Sequence, residues 1–263
     1  MSTQDESSGG QLDLSARETY DAFASAYDVF NQAYQYESWT GKLLGEAEKA
    51  GLKGDRLLDV GCGTGLSFVA LLDRGWKVTA CDISSGMIEI ARRRVGDRAE
   101  LLIADMRTLP ALGEFDLVWA VNDAANYVLS DEELLAALTS MVRNLAPDGV
   151  VLFDLNTLFT FKTFFCETHE REVDGQHFVW RGEMDVDEIG PGSIAEAHFQ
   201  AEGQAIDHVH RQRHFPESDV LAALEAAGLE PRAVLGELDG VLSPGLDETV
   251  HTKAVYVAAA KPS

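Results

Sequence analysis

The stretch LLDVGCGTG, at residues 57–65, sets three glycines on alternate positions directly after an apolar run. Glycines in such a loop permit a tight turn and let another group approach the backbone, because they carry no side chain. Dinucleotide sites usually have the spacing G-x-G-x-x-G. Here Gly61, Gly63 and Gly65 follow at intervals of two, and Leu66 occupies the position of the third glycine in that pattern. The stretch therefore predicts a nucleoside-type ligand and argues against a pyrophosphate.

Short apolar runs alternate with helical patterns on both sides of the glycine stretch. The runs lie at 56–60, 77–81, 99–104, 115–121 and 150–155, and the helical patterns lie near 65–73, 85–95 and 131–145. Because strands joined by helices form a parallel sheet that is covered on both faces, this order predicts an α/β fold with a doubly wound sheet. Two more strand-like runs, at 230–238 and 252–260, bring the expected number of strands in this mostly parallel sheet to seven.

The rest of the chain indicates further parts around this sheet. An aromatic stripe at helical spacing lies near the N-terminus, and residues from about 173 to 215 alternate apolar and polar with period two, which is typical of half-exposed antiparallel strands. The first residues are polar and lack the apolar segment of a signal peptide. We therefore expect a disordered tail at 1–14, an N-terminal helical cap at 15–54 and a cofactor-binding α/β core at 55–155. An antiparallel β-rich lid insertion that binds substrate is expected at 156–215, and the C-terminal part of the core sheet at 216–263.

The charge balance restricts the class of partner. Lys and Arg number 21 and Asp and Glu 44, which gives a formal net charge of −23. Because affinity for nucleic acid rests on basic residues that neutralise phosphates, we expect no nucleic-acid partner. No apolar run approaches the ~20 residues that span a bilayer, so we expect no membrane partner. A homodimer is one assembly that these features permit.

Cysteine usage indicates the compartment. Cys62, Cys81 and Cys166 are scattered along the chain and lack the spacing of metal ligands. Such a pattern argues against a disulfide framework and against a zinc site. A reducing, cytoplasmic location is therefore expected.

Two acids follow neighbouring strands at one edge of the predicted sheet. Asp82 ends the second run, about twenty residues after Gly61, where an acid accepts hydrogen bonds from the hydroxyls of a bound ribose. Asp105 and Met106 follow the third run. Ligands of open parallel sheets bind beyond the carboxyl ends of the strands, so these residues and the glycines predict a nucleoside site there.

Taken together, these motifs resemble those of the class I S-adenosylmethionine-dependent methyltransferases. The matching segments are LLDVGCGTG, the acid in VTACDIS followed by GMIEIAR, ADMRTLP, and LAPDGVVLFD. The chain is similar to small bacterial members, with YDAFASAYD and YESW near its N-terminus, NDAANYVL after the fourth strand and HVHRQRHFP at the end of the insertion. The resemblance implies a Rossmann-like methyltransferase fold, S-adenosylmethionine as cofactor, and methyl transfer to N, O or C of a small-molecule metabolite, in secondary metabolism.

The resemblance also implies the residues that bind the cofactor. Asp82 would hold the ribose, with Ile83 and Met87 beside the adenine. Asp105 and the amide of Met106 would contact the adenine edge. Residues after the fourth strand would lie near the sulfonium, and aromatic residues of the N-terminal helices would close the pocket. The implied set is Tyr20, Trp39, Gly61, Gly63, Asp82, Ile83, Met87, Asp105, Met106, Val121 and Asn122.

The end of the insertion carries the predicted acceptor side of the site. In a period-two strand, His208, His210, Gln212 and His214 share one face, and we expect His208 and His214 to be exposed there. A neutral histidine at 210 could orient the acceptor or take its proton, because its ordinary pKa is ~6.5. No carboxylate or cysteine completes a ligand set, so no metal is expected. The predicted catalytic residues are His210, Tyr20 and Tyr27, and the predicted substrate-binding residues are Asn126, Tyr127, Gln212 and Arg213.

Other functions stay open on the sequence alone. An NAD-dependent oxidoreductase uses a similar sheet, although Leu66 and the acid of the ADM segment argue against it. A nucleoside-binding protein without catalysis is a second alternative. Methylation of tRNA or of a protein is a third, and the net charge of −23 argues against tRNA.

Overall fold

The order of helices and strands comes from a computed structural model that describes residues 15–32, 34–201 and 206–261. The predicted tail at 1–14 lies outside the described residues. The first part of the chain contains α1 (Ser15–Phe30), α2 (Tyr36–Lys49), β1 (Arg56–Val60), α3 (Val69–Asp73), β2 (Lys77–Asp82), α4 (Ser85–Val95), β3 (Ala99–Ile103), β4 (Phe115–Ala120), α5 (Asp131–Val142) and β5 (Leu145–Asn156). The second part contains α6 (Leu158–Phe164), β6 (Thr168–Val173), β7 (Gln176–Gly182), β8 (Ile194–Ala201), β9 (Ile206–Arg213), α7 (Glu217–Ala226), β10 (Leu229–Leu238), β11 (Val241–Pro244) and β12 (Lys253–Ala260).

The larger sheet has the order β11-β10-β12-β5-β4-β1-β2-β3. Strands β1 to β5 pair in parallel, and β12 lies antiparallel between β5 and β10. This confirms the doubly wound, mostly parallel sheet, and each of its seven predicted strands is present. β11 adds an eighth, at the edge. It pairs with β10 across Asp239 and Gly240, which both have positive φ, and an Asp-Gly pair is itself the sequence signal for such a hairpin.

Helices cover both faces of the parallel strands. Successive side chains of a strand point to opposite faces, so Leu57 and Leu58, both fully buried, belong to different clusters. Leu58 packs in a cluster that includes α5 and α7, whereas Leu57 packs in one that includes α2 and α3. Burial on both faces explains why these strands are continuous apolar runs. None of the described helices is long and apolar enough to cross a membrane.

The helix after the glycine loop begins later than its pattern predicts. Helical spacing starts near residue 65, but α3 begins at Val69. Gly65 has a φ of +87°, which a right-handed helix cannot contain, and the residues before Val69 form turns. α6, which the sequence reading missed, follows β5 directly and buries Phe161.

The lid is a second sheet of order β6-β7-β8-β9, with antiparallel pairing throughout. Its strands confirm the period-two pattern, although β6 begins before the predicted region. One face packs on α1, where Phe23, Phe178 and Phe199 form a buried aromatic cluster. The cap and the lid therefore share a small core of their own.

The expectation that His208 and His214 are exposed is wrong. His208 is half-buried against the rings of Phe23 and Phe199, and only 1% of His214 is exposed. His214 is held by two hydrogen bonds. Its Nδ1 accepts a hydrogen bond from the amide of Gly192, and its Nε2 lies 2.5 Å from Glu248 Oε2. Since Nδ1 is an acceptor, Nε2 carries the proton and donates to the carboxylate.

Two acids fasten α1 to the core sheet. Asp21 Oδ1 accepts hydrogen bonds from Ser84 Oγ at 2.7 Å and from the amide of Gly86 at 3.0 Å, at the start of α4. Asp28 accepts one from Thr64 Oγ1 at 2.7 Å, inside the glycine loop, and pairs with Arg94. Carboxylates at the N-terminus of a helix are favourable because amide groups there lack intrahelical partners. α1 is therefore held over the carboxyl ends of β1 and β2.

Replacing Asp21 should loosen α1 without unfolding the sheet. Because Asp21 is exposed, we expect only a modest effect, with amide hydrogen exchange in α1 at least about threefold faster in Asp21→Ala. Exchange in β4 and β5 should not change. Mass spectrometry of the exchanged peptides measures both, and Glu18→Ala, which removes an exposed acid of the same helix, is the control. Equal exchange of α1 in the two variants would contradict the fastening role.

Candidate functional site

Two cavities meet under α1 at the carboxyl ends of the parallel strands. The loop cavity extends over the glycine loop, and the lid cavity extends between α6 and the lid sheet. Both are lined by Tyr20, Tyr27, Tyr36, Asn122 and Tyr127. The two cavities are therefore neighbours, with this group of side chains at the border between them.

The glycine loop forms the floor of the loop cavity. The amides of Gly61 and Cys62 both donate to the carbonyl of Cys81, at 2.8 and 3.0 Å, which holds the turn against β2. Gly61 has a φ of +79°, and a Cβ there would lie 2.8 Å from the Cβ of Ala124. Gly63 has a φ of +53° with open space around its Cβ position. Packing and conformation thus require glycine at 61, and conformation favours it at 63.

Asp82 ends β2 beside this loop and faces the loop cavity. Its carboxylate accepts hydrogen bonds from the amides of Gly63 at 2.8 Å and Ser84 at 2.9 Å, and only 8% of the residue is exposed. Burial raises the pKa of Asp82 to about 6, even though both amides oppose the shift. A carboxylate has about four lone-pair sites, so two remain for a ligand with two hydroxyl donors.

Asp105 lines the loop cavity at the end of β3. Its two oxygens accept hydrogen bonds from the guanidinium of Arg107, the shortest at 2.7 Å. Arg107 also pairs with Glu133 at 2.6 Å, at the start of α5. Ile83 and Met106 add apolar wall to the same cavity. The carboxylate of Asp105 is thus fixed in place by a half-buried ion-pair network before any ligand binds.

The turn after β4 borders both cavities and is strained. Asn122 and Asp123 have φ values of +59° and +55°, which are uncommon for residues other than glycine. Both of their amides donate to Asp154, at 2.9 and 2.5 Å, and Asp154 is fully buried in β5. Lys253 Nζ lies 2.8 Å from Asp123 and 3.3 Å from Asp154. This buried cluster holds the turn in its left-handed conformation.

The lid contributes His210 and Gln212 to the lid cavity. Gln212 donates to Asp123 at 2.8 Å and accepts from Asn156 at 2.9 Å, so it joins β9 to the strained turn. His210 is 2% exposed, with Nδ1 2.6 Å from the Tyr127 hydroxyl and Nε2 3.2 Å from His208 Nε2. One of the two Nε2 atoms must carry the proton for this last contact to be a hydrogen bond.

Burial keeps the groups at the junction of the cavities uncharged. It lowers the pKa of His210 well below the ordinary value, and the neighbouring His208 adds to the shift. Burial also raises the pKa of Tyr20, of Tyr27 and of Tyr127 well above that of a free phenol. The junction is therefore lined by neutral imidazole and neutral phenols near pH 7.

Comparison with known proteins identifies the family. The model of a family described as "Methyltransferase domain" matches residues 57–149. A Bacillus subtilis (strain 168) protein named as the methyltransferase YqeM is 28% identical over 244 residues, which cover 89% of this chain and 96% of that protein. A protein of Geobacillus sp. (strain WCH70), also named as a methyltransferase, is 31% identical over 170 residues, which cover 62% of this chain and 68% of the relative.

The solved structure of the sugar N-methyltransferase KedS8 from Streptoalloteichus sp ATCC 53650 has a TM-score of 0.69 with 25% identity, and the match covers 99% of both chains. Other solved methyltransferases of similar fold hold S-adenosylmethionine. The chain belongs to the class I S-adenosylmethionine-dependent methyltransferases. Neither the oxidoreductase nor the non-catalytic alternative is favoured.

The loop cavity of this methyltransferase fits S-adenosylmethionine, which is its cofactor. Asp82 offers two free lone-pair positions to the ribose hydroxyls, and Gly61 leaves the loop floor free of side chains. Ile83 and Met106 provide apolar surface for the adenine, next to the fixed carboxylate of Asp105. The strained turn brings Asn122 to the border with the lid cavity, where the reactive end of the cofactor would lie.

The structure brings most of the predicted cofactor residues together and leaves out two. The loop cavity is lined by Tyr20, Gly61, Gly63, Asp82, Ile83, Asp105, Met106, Val121 and Asn122. Met87, which is fully buried in α4, is not among the residues that line it. Trp39 does not line it either, because its ring packs with Leu43 in the core cluster. Tyr36, three residues earlier on α2, lines both cavities in its place.

Two predicted substrate residues face neither cavity. Arg213 lies on the opposite face of β9 from Gln212, where it pairs with Asp131 at 2.9 Å and covers the ring of Phe215. Asn126 is fully buried and joins β9 to β5: it donates to the carbonyl of Arg213 and accepts from the amide of Asn156, both at 2.9 Å. Both residues position the lid instead of lining the lid cavity.

Tyr20, Tyr27, Tyr127, His210 and Gln212 do line the lid cavity, and their roles in catalysis and substrate binding remain predictions. Sequence reasoning missed Asp123, Asp154 and Lys253. Asp154 carried a signal, since it lies inside the matching segment LAPDGVVLFD as an acid in an otherwise apolar strand. No sequence pattern indicates Lys253, because its partners lie 99 and 130 residues away in the chain.

Asp82 makes cofactor affinity depend on pH. The pKa of Asp82 is raised to about 6, so the carboxylate is lost as the pH falls through that value. We expect the affinity for S-adenosylhomocysteine to be constant above about pH 7 and to decrease below 6, because a protonated carboxyl accepts fewer hydrogen bonds. Asp82→Asn should lower affinity at least ~10-fold and remove the pH dependence, since hydrogen bonds to charged groups contribute ~1.5–3 kcal/mol. Calorimetric titration at several pH values measures both effects.

Glu89→Gln, which neutralises an exposed acid on α4, should bind the cofactor product like the unaltered protein and keep its pH dependence. An unchanged dissociation constant in Asp82→Asn would mean that Asp82 only caps the end of β2.

Proposed function

We propose that this methyltransferase transfers the methyl group of S-adenosylmethionine to the nitrogen of a small-molecule amine. The observation that carries the proposal is the charge at the floor of the lid cavity. Asp123 and Lys253 line that floor, and the fully buried Asp154 lies behind them, 3.3 Å from Lys253 Nζ. Two carboxylates and one ammonium give this cluster a formal net charge of −1 in a largely buried setting, where charges are weakly screened, and it favours a cationic amine.

Lys253 lies between its two carboxylate partners, which favour its charged form. Burial acts to lower the pKa of Lys253, but Asp123 and Asp154 outweigh it and raise that pKa above the ordinary value. Asp123 accepts from Lys253 through one oxygen and from Gln212 through the other, and each oxygen has a second lone pair. Asp123 therefore retains capacity to accept an N–H of an incoming amine.

The neutral junction suits nitrogen better than an aliphatic hydroxyl as the acceptor. Attack by a hydroxyl needs a base to remove its proton, and the lowered pKa of His210 makes that imidazole a weak base. An amine has its own lone pair once it has lost one proton. The net charge of the floor, the neutral junction and the resemblance to a sugar N-methyltransferase all support nitrogen.

The residues at the junction would position the two reactants. When bound, S-adenosylmethionine supplies a methyl group on a sulfonium. The rings of Tyr20 and Tyr127, 5.1 Å apart, present faces and edges that exclude water and tolerate nearby positive charge. Holding an acceptor on the line of attack can supply up to ~7–11 kcal/mol of barrier reduction in well-oriented systems.

His210 and Tyr127 would together orient the acceptor. Its Nδ1 is 2.6 Å from the Tyr127 hydroxyl, so the two side chains form one hydrogen-bonded unit at the border of the cavities. This unit would orient the amine, which gives up its proton to solvent before attack, because the lowered pKa of His210 makes the imidazole a poor proton acceptor.

Further expectations belong to the same proposal. We propose that the lid, residues 156–215, selects the acceptor, that the enzyme acts in a reducing cytoplasmic compartment and as a homodimer, and that nucleic acid is not a substrate. The three cysteines are free thiols, which supports the reducing compartment. The formal net charge of −23 supports the exclusion of nucleic acid.

The chemistry of the acceptor atom is tested with matched compounds. Each set contains an amine, an alcohol and a carboxylic acid on the same carbon skeleton, and formation of S-adenosylhomocysteine is measured by mass spectrometry. We expect product from amines and none above background from the alcohols, because no strong base lines the junction. The addition of NAD should not stabilise the protein against heat, whereas S-adenosylmethionine should. Turnover of an alcohol or acid without turnover of the matched amine would contradict N-methylation.

His210 and Tyr127 should behave as one unit in catalysis. We expect His210→Ala and Tyr127→Phe each to reduce turnover of the best amine by ~10²-fold, because the acceptor is then poorly positioned, while leaving cofactor affinity within about twofold. The double variant should lose little more than either single one, because groups that act together are not additive. The control is His198→Ala, because His198 lies on β8 and on the opposite face of the lid sheet from His210. Near-normal turnover of His210→Ala would reduce His210 to a packing residue of the lid.

A further inference from the structure

The opening of the lid cavity is lined by exposed aromatic side chains. Tyr34, Phe159 and Phe164 are 38%, 37% and 49% exposed, and all three line this cavity. The other large apolar side chains that are exposed in the described part of the chain line neither cavity. Exposed apolar patches of this kind mark binding sites, because exposing such rings to water is unfavourable unless a ligand covers them.

Aromatic rings continue from the opening to the junction. The Phe164 ring is stacked on His169, with centroids 4.5 Å apart and planes 20° apart. Deeper in the cavity, Trp180 contacts the ring of Phe165 edge-to-face, at 5.5 Å, and lies 4.9 Å from the ring of His210. Flat walls from α6 to β9 therefore border the route to the strained turn.

The polar side chains of the cavity are largely engaged with each other. The hydroxyls of Tyr27 and Tyr36 are 3.0 Å apart, and the Tyr34 hydroxyl donates to Asn122 at 3.0 Å. Gln212 uses its amide on Asp123 and Asn156. A ligand with many hydroxyl groups would find few free partners in this cavity.

The polar side chains on the α6 side of the lid cavity also have hydrogen-bond partners. Thr160 and Thr163 donate to backbone carbonyls at 2.6 and 3.0 Å, and Arg171 donates to the carbonyl of Phe30 at 2.8 Å. Among the described residues that line the cavity, the buried side-chain atom without a partner is Nε2 of His169. Glu170 also lines the cavity, with an exposed carboxylate 3.5 Å from His177 Nε2. The buried part of the walls and floor therefore offers a ligand few polar partners beyond His169 Nε2 and the acceptor capacity of Asp123.

We infer that the acceptor is an amine carried on a planar, mainly apolar ring system, held between the aromatic walls with its nitrogen toward Asp123. This rests on the proposed N-methylation and specifies its substrate class. The inference separates this enzyme from the sugar N-methyltransferase that it resembles, because each sugar hydroxyl buried without a partner would weaken binding. The lid cavity encloses about 1490 Å³ including its open mouth, against about 830 Å³ for the loop cavity, so a ring system fits beside the amino group.

The inference is tested by binding, not by turnover. The protein is saturated with S-adenosylhomocysteine and titrated by calorimetry with phenethylamine, 2-cyclohexylethylamine and glucosamine. We expect phenethylamine to bind at least ~10-fold more tightly than glucosamine and ~3-fold more tightly than 2-cyclohexylethylamine, because only the planar ring can stack on both walls. Glucosamine binding as tightly as phenethylamine, or equal binding of the two apolar amines, would overturn the inference.

Substitutions in the aromatic walls of the lid cavity test where the ring of phenethylamine binds. Phe159→Ala and Phe164→Ala should each weaken phenethylamine at least ~5-fold and leave the affinity for S-adenosylhomocysteine unchanged. Val250→Ala, which shortens an exposed apolar side chain outside both cavities, should change neither affinity. Unchanged phenethylamine affinity in both phenylalanine variants would overturn the inference. If phenethylamine binds as expected but no amine is methylated, the proposed function fails while the aromatic-ring site stands.

Discussion

The carboxylate of Asp154 is the group on which the site depends. It is fully buried in β5, and it accepts the amides of two consecutive residues with positive φ, Asn122 and Asp123. Left-handed conformations at such residues persist only where surrounding contacts hold them, each at a cost of ~1–3 kcal/mol. Without Asp154 the turn would relax, and Asn122 would leave the border between the cavities. Lys253 Nζ lies 2.8 Å from Asp123 and 3.3 Å from Asp154, so an opposite charge accompanies the two carboxylates in the interior.

The same turn connects the core sheet to the lid. Gln212 of β9 donates to Asp123, and the buried Asn126 joins the end of β9 to the amide of Asn156. α1 completes the enclosure, fastened to the core through Asp21 and packed on the lid through Phe23. The loop and lid cavities thus meet between elements that are far apart in the chain, and the meeting place is lined by groups that burial keeps neutral.

Sequence reading predicts which core residues lie together, and it is weaker for the cap and the lid. Gly61, Asp82 and Asp105 lie at strand ends, and the carboxyl ends of parallel strands share one edge, so local pattern and topology together predict their convergence. Trp39 and Met87 were carried over from the family resemblance, which gives a position on a helix and does not say which side chain faces the cavity. Alternation along β9 places Arg213 on the opposite face from Gln212, and Lys253 could not be found because its partners are remote in sequence.

The proposed division of roles between core and lid lets one cofactor site serve different acceptors. The matched family model covers residues 57–149 and ends before Asp154 and before every lid strand, so the shared part of the chain holds most of the loop cavity, which the cap completes. Tyr20, Phe164, Trp180 and His210, which line the lid cavity, come from the cap, α6 and the lid. The strained turn connects the two parts, since Asn122 lines both cavities and Asp123 lines the lid cavity alone. Under the proposed role of the lid, substitutions there change the acceptor without disturbing the cofactor, provided that the contacts to this turn are kept.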